Sequence, residues 1–223
     1  MNGIHLALDA STYSGSAALI TRGGSVIAVA EARMRGEREE RFLPTVAQLL
    51  QQASVAPGDL KGIICGAGPG SFTSLRIAAS IAKGFAMGLD VPLYSVTSLL
   101  LTPAAAAPPL APGEYLSLLD AMRGEFHALR CVVDQEGRVT SEGEVELLPE
   151  AGLPGAGASA SALTEIGPGR TIDAAPHARG VALMMPEILG RGRLDASSWE
   201  PDYGRLPEAE VRLEGPTNLK VGI

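Results

Sequence analysis

Leu60-Lys61-Gly62-Ile63-Ile64-Cys65-Gly66-Ala67-Gly68-Pro69-Gly70-Ser71-Phe72-Thr73-Ser74-Leu75-Arg76 runs from an apolar segment through a glycine-rich turn into a stretch that reads as helix to about Gly88. The run 60–65 has the length of a buried strand, and the glycines with Pro69 punctuate its end. A strand, a tight turn and a helix in immediate succession are the building unit of an α/β protein, in which helices cover a sheet.

Upstream, Ile4-His5-Leu6-Ala7-Leu8-Asp9 is a short apolar run closed by an acid. The runs 16–20 and 25–30 follow it after Gly-, Ser- and Thr-rich turns. Three consecutive strands in a meander are expected. Residues 33–41 are highly charged; then Phe42, Leu43, Val46, Leu49, Leu50 and Ala53 recur at helical spacing, with Pro44 starting or kinking the helix. That apolar stripe is wider than one packing face needs, so part of it is expected to meet a partner helix, the competing assignment being core.

Downstream, residues 91–96 read as a strand and 98–101 as the start of a helix ended by Pro103 and the Pro108-Pro109 pair. This proline-rich stretch is the expected lobe boundary, dividing an N-terminal lobe, 1–107, from a smaller C-terminal lobe, 108–223. In the second lobe, residues 115–119 and 126–133 read as strands joined by Asp120-Ala121-Met122-Arg123-Gly124-Glu125, with a turn over 134–138. Residues 151–180 are rich in Ala, Gly and Pro with weak periodicity, leaving room for a short strand, and a helix is expected around 181–189.

Composition narrows the function. The chain has 223 residues, 46% of them hydrophobic, enough for a packed core. Charged residues such as Asp9, Arg22, Arg76 and Lys83 keep every apolar segment below the roughly 18 residues a membrane helix needs. With no basic, apolar leader pattern at the start, a cytoplasmic location is expected. Acidic residues number 25 against 18 basic, a net charge of −7, so the surface as a whole does not attract phosphate. Any contact with RNA is expected to be indirect. Arg33, Arg35, Arg38 and Arg41 are interspersed with acids and read as a solvated charged face rather than an RNA strip.

Two turns can carry chemistry. Gly68-Pro69-Gly70-Ser71, ahead of Thr73 and Arg76, places backbone N–H groups and a helix N-terminus where an anion can be received. It lacks the Lys of a Walker loop and the third glycine of a dinucleotide loop, and it reads equally as a tight turn needing glycine only for positive φ. Asp9, Ser11 and Thr12 form an acid-and-hydroxyl turn suited to a metal–phosphate group, or to capping its own amides. His5, His127 and His177 are too scattered for a paired metal site, and Ser71 has no evident base, so neither a metallopeptidase nor a serine hydrolase is indicated. Cys65 and Cys131 read as reduced, buried thiols.

Leu8-Asp9-Ala10-Ser11-Thr12, Leu43-Pro44, Gly68-Pro69-Gly70-Ser71-Phe72-Thr73-Ser74-Leu75-Arg76-Ile77 and Asp120-Ala121-Met122-Arg123-Gly124-Glu125 together resemble the TsaB (YeaZ) family over roughly residues 4–130, with a weaker echo in Glu200-Pro201-Asp202-Tyr203-Gly204-Arg205. The resemblance implies the actin-like fold of the sugar kinase, Hsp70 and actin superfamily, with two lobes each built on a mixed sheet flanked by helices. It implies a non-catalytic subunit that partners the catalytic paralogue TsaD in threonylcarbamoyladenosine modification of tRNA next to the anticodon, joined by the ATPase TsaE, or that pairs with itself when alone. It places the partner contact on Phe42, Leu43, Val46, Leu49 and Leu50. ATP or ADP would sit at or near the subunit interface, with Asp9, Ser11, Thr12, Gly68, Gly70, Ser71, Thr73 and Arg76 facing phosphate. The departures from the family pattern are Ala10, Ser74, Met122, His127 and Arg38-Glu39; Ser74, in the first helical turn, is expected to narrow any phosphate pocket. The alternative function is an active small-molecule kinase or ATPase of the same fold.

Overall fold

The computed structural model describes residues 3–34, 40–153 and 163–204. The meander forms as expected: β1 (Ile4–Asp9), β2 (Ser14–Thr21) and β3 (Val26–Arg33) pair antiparallel in sequence order. The chain then enters α1 (Phe42–Gln52), β4 (Leu60–Gly66), α2 (Phe72–Leu89), β5 (Leu93–Val96) and α3 (Ser98–Ala104). Strands β4 and β5 add parallel to β1, giving the order β3-β2-β1-β4-β5. Because β1 and β4 are covered on both faces, their residues are nearly all buried and mostly apolar, with Lys61 exposed and His5 and Asp9 the buried polar exceptions.

The second sheet repeats that plan. Strands β6 (Gly113–Asp120), β7 (Glu125–Val133) and β8 (Val139–Pro149) form an antiparallel meander. Strands β9 (Thr164–Gly167) and β10 (Ile172–Asp173) add parallel beside β6. Read from its meander edge, this sheet has the order β8-β7-β6-β9-β10, the same topology as the first. Two copies of one mixed sheet, each with helices against it, make an α/β, two-lobe, actin-like fold.

Strand β8 was not foreseen. It lies on the sheet edge, and almost all its residues are exposed, so the glutamates 142, 144 and 146 leave no core-facing alternation to read. Of the alanine-rich stretch, residues 154–162 lie outside those described; the rest contains β9 and β10. The helix expected around 181–189 is a 3-10 turn, Ala178–Met184, followed by α4 (Met185–Gly190) with Pro186 in its first turn.

Helix α1 begins two residues before Pro44, which occupies the first turn, where its missing N–H leaves no helical bond unmade. The Glu40 carboxylate accepts from the Phe42 and Leu43 amides and satisfies two of the orphan donors. The core covers most of the wide apolar stripe. Phe42, Val46, Leu49 and Leu50 are all buried in the core under the first sheet, with Leu6, Leu8, Leu19 and Ile63. Each contributes about 1.5–3 kcal/mol by leaving water. Of the five side chains expected at a partner, Leu43 alone is exposed, at 46%.

The stretch at Pro108 separates the two sheets along the chain, yet the fold closes back across it. Ala178 N donates to Ser16 Oγ at 2.9 Å, Leu194 N to Leu93 O at 2.8 Å, and Asp202 N to Ala67 O at 2.7 Å. One core cluster combines Ala7, Ala18, Ile20 and Ile64 of the first sheet with Leu119, Leu129 and Ile166 of the second, and with Val181, Met184 and Ile188. The turns at the ends of β1 and β4 therefore sit where the two halves meet.

Candidate functional site

Strands β1 and β4 run parallel and side by side, so the turns that leave their C-terminal ends must lie together. Asp9 ends β1 and is fully buried. Its Oδ1 accepts from Ser98 Oγ at 2.6 Å, and its Oδ2 accepts from the Ser11 hydroxyl at 2.9 Å and the Ser11 amide at 3.2 Å. Burial pushes the Asp9 carboxyl above the ordinary aspartate value, against the pull of those three donors. Ser98 Oγ in turn accepts from Gly68 N at 3.1 Å. A chain of hydrogen bonds thus ties the acid on β1, through the first residue of α3, to the glycine turn after β4.

The glycine turn is shaped by close approach. Gly68 has φ +86°, and a Cβ there would lie 2.1 Å from the Asp202 carbonyl oxygen. At Gly70, φ +155°, a Cβ would lie 2.0 Å from Ser11 O, and the next amide, Ser71 N, donates to that same Ser11 O at 2.7 Å. The two turns meet through direct backbone contact. A carbonyl oxygen already stands in front of the first amide of the α2 entrance, and Asp202 covers Gly68. Both oxygens of Asp9 are engaged. The Ser71 amide and both Asp9 oxygens are thus satisfied within the protein.

The remaining predicted residues divide. Thr12 Oγ1 donates to Ser14 O and accepts from Ser14 N within its own hairpin. Ser71 Oγ and Ser74 Oγ lie 3.0 Å apart, so the serine in the first turn of α2 is spent on its neighbour. Thr73 and Arg76 are exposed on α2 and line an open groove of about 460 Å³ between α1 and α2. Glu40, Leu43, Phe72, Ile77 and Ile81 complete most of its wall. Among the described residues this surface joins two of the exposed large apolar side chains, Leu43 and Phe72, with a cation, Arg76, and an acid, Glu40.

Two features escaped sequence reasoning. Ser98 gave no motif, because its role depends on a contact across 89 positions of sequence. The segment 199–204 carried a signal as the fainter part of the family resemblance, and the structure makes it a strap. Lys83 Nζ donates to Trp199 O at 2.7 Å and to Glu200 Oε1 at 2.9 Å, and Tyr203 packs its ring on Phe72 with centroids 4.6 Å apart. Gly204 lies between Pro69 of one half and His127 of the other. The thiols offer no nucleophile: both are buried, Cys65 strongly raised by burial and by Asp9, and Cys131 pushed up to about 12.

A family model described as TsaD, tRNA N6-adenosine threonylcarbamoyltransferase, matches residues 34–157. The tRNA threonylcarbamoyladenosine biosynthesis protein TsaB of Bacillus subtilis is 36% identical over 122 residues, covering 55% of this chain and 52% of that protein. The protein of the same name from Escherichia coli is 33% identical over 132 residues, 59% of this chain and 56% of that one. The chain spans about half the length of the curated relatives it matches. The solved structure of YeaZ from Pseudomonas aeruginosa superposes with a TM-score of 0.75 at 27% identity, covering 90% of this chain and 99% of that one.

Proposed function

Because the chain belongs to the TsaD family of tRNA threonylcarbamoyladenosine proteins, and within it to the TsaB/YeaZ group, we propose that it is a non-catalytic scaffold subunit of that modification machinery. Its role is to dock a TsaD-like catalytic paralogue and hold it in a competent arrangement. The observation that carries this reading is the open groove between α1 and α2, where Leu43, Phe72, Ile77 and Ile81 present apolar surface rimmed by Arg76 and Glu40. An apolar centre with a charged rim is the anatomy of a protein interface. A paralogue of the same fold would bring two equivalent helices to it.

The interior of the site supports a structural part for the motif residues. Asp9, Ser11, Gly68, Ser71 and Ser98 are linked by hydrogen bonds, with Gly70 packed against Ser11 O, which braces the start of α2 and so one wall of the groove. Nothing in that constellation favours the kinase alternative. A TsaE-like ATPase is a further partner in this reading, and a homodimer through the same groove is the state of the chain alone. The net charge of −7 supports leaving the grip on tRNA to a partner. The location that follows is the cytoplasm, and no helix among the described residues is long and apolar enough to cross a membrane.

The test is size-exclusion chromatography with light scattering on the chain alone and mixed with its cognate TsaD-like paralogue. A stable mixed complex is expected. Absence of any complex at micromolar concentration, with TsaE-like ATPase and ATP added, overturns the assignment.

A further inference from the structure

The strap Trp199 to Gly204 runs along the flank of α2 that adjoins the groove. We propose that Tyr203 is a positioning residue for docking, acting through Phe72, so that the C-terminal strap sets the shape of the partner surface; this rests on the groove being the docking site. Phe72 is a groove wall and is 37% exposed, at the very start of α2, where a large side chain has few helical neighbours to hold it. It is held instead from outside. The Tyr203 ring lies against it at 4.6 Å with an interplanar angle of 49°, a tilted arrangement that ring quadrupoles favour, and the Arg76 guanidinium covers it at 5.0 Å.

The strap is itself anchored at several points, which makes it a rigid support. Lys83, two turns along α2 from Arg76, takes Trp199 O and Glu200 Oε1. The other carboxylate oxygen of Glu200 accepts from Tyr203 Oη at 3.2 Å. Asp202 N is bonded to Ala67 O, and Asp202 Oδ1 accepts from Gly204 N at 2.7 Å. The consequence is that Phe72 and Arg76 meet a partner already ordered, and the entropy of fixing them is spent in folding and not in binding. A clamp whose only task was stability would act equally on chains that never dock; this one terminates on two residues that line the groove.

The experiment measures affinity for the TsaD-like paralogue by titration calorimetry, using the full chain and its Leu43→Asp, Tyr203→Ala and Tyr203→Phe variants, with the melting midpoint of each recorded. The wild type binds and Leu43→Asp does not. Tyr203→Ala weakens binding by roughly tenfold, the size of one lost aromatic pair, and Tyr203→Phe, which keeps the ring and loses the hydroxyl with its contacts to Glu200 and Arg76, restores most of it. If the wild type binds and Tyr203→Ala binds equally well, whatever its midpoint, the strap is merely structural and the proposal fails while the docking reading stands. If Tyr203→Phe is as weak as Tyr203→Ala, the ring contact is not the cause and the proposal also fails. If the wild type does not bind, the docking reading falls and this inference falls with it.

Discussion

Asp9 carries its carboxyl into a fully buried position, and the three donors from Ser11 and Ser98 only partly offset the cost of keeping it charged there. A carboxyl raised in the fold binds its proton more tightly folded than unfolded. Stability from this group is therefore complete below the ordinary value of 3.8 and is lost as pH rises through the folded value. Urea melts of the wild type and Asp9→Asn at a series of pH values should show this loss in the wild type and not in Asp9→Asn, and a stability difference between the two that stays constant with pH would remove Asp9 as its source. A second test at this scale contrasts glycines. Gly68→Ala combines a left-handed backbone, about 1–2 kcal/mol, with overpacking against the Asp202 carbonyl, roughly 1–3 kcal/mol more. Gly137, at φ +77°, has nothing within 4 Å of a built Cβ, so Gly137→Ala is expected to cost only the backbone part. Equal losses in thermal melts would remove the close approach as the reason for Gly68. The identity of both Asp9 and Gly68 as special was legible from their place at strand ends; what each one touches was not, since Ser98 and Asp202 are remote in sequence.

Helix α1 separates two roles that the sequence merges. Its stripe at helical spacing is correctly read as amphipathic, but spacing alone does not say how much of the stripe a lobe can cover. The first sheet takes Phe42, Val46, Leu49 and Leu50, and only Leu43 is left outside. Val46→Asp is therefore expected to unfold the lobe, since it strands a charge in the core at a cost above about 4 kcal/mol. Leu43→Asp should change stability by less than about 0.5 kcal/mol, as surface substitutions do, while abolishing the mixed complex. Circular dichroism melts beside light scattering distinguish these outcomes. A Val46→Asp chain that folds and fails only to pair would restore the four buried residues to the interface.

Across the whole molecule, the two sheets share one topology but are not built on two independent cores. Residues 178–190 lie over the first sheet, and a single cluster carries apolar side chains of both halves. His177 adds a tether, with Nδ1 accepting from Arg179 N at 2.9 Å and Nε2 lying 3.1 Å from Glu31 on β3. A fragment ending at 107 would expose Ala18, Ile20, Leu99 and Leu100 to water, and it should show no cooperative melt in calorimetry, whereas the full chain melts in one transition. A cooperative melt of the fragment would establish the first lobe as self-sufficient.

The element order of the first lobe, the strand, glycine turn and helix unit, the buried thiols and the family can be read along the chain. All of these rest on local alternation, helical spacing and turn chemistry, which neighbours along the chain decide. The three-dimensional arrangement settles that the second sheet copies the topology of the first and that Ser11 O meets the Ser71 amide at the entrance of α2. It also settles that most of the α1 stripe is core and that Tyr203 backs the groove through Phe72. Those are contacts between segments far apart in the chain, and a linear pattern records which residues are apolar or polar without recording which of them the fold brings face to face.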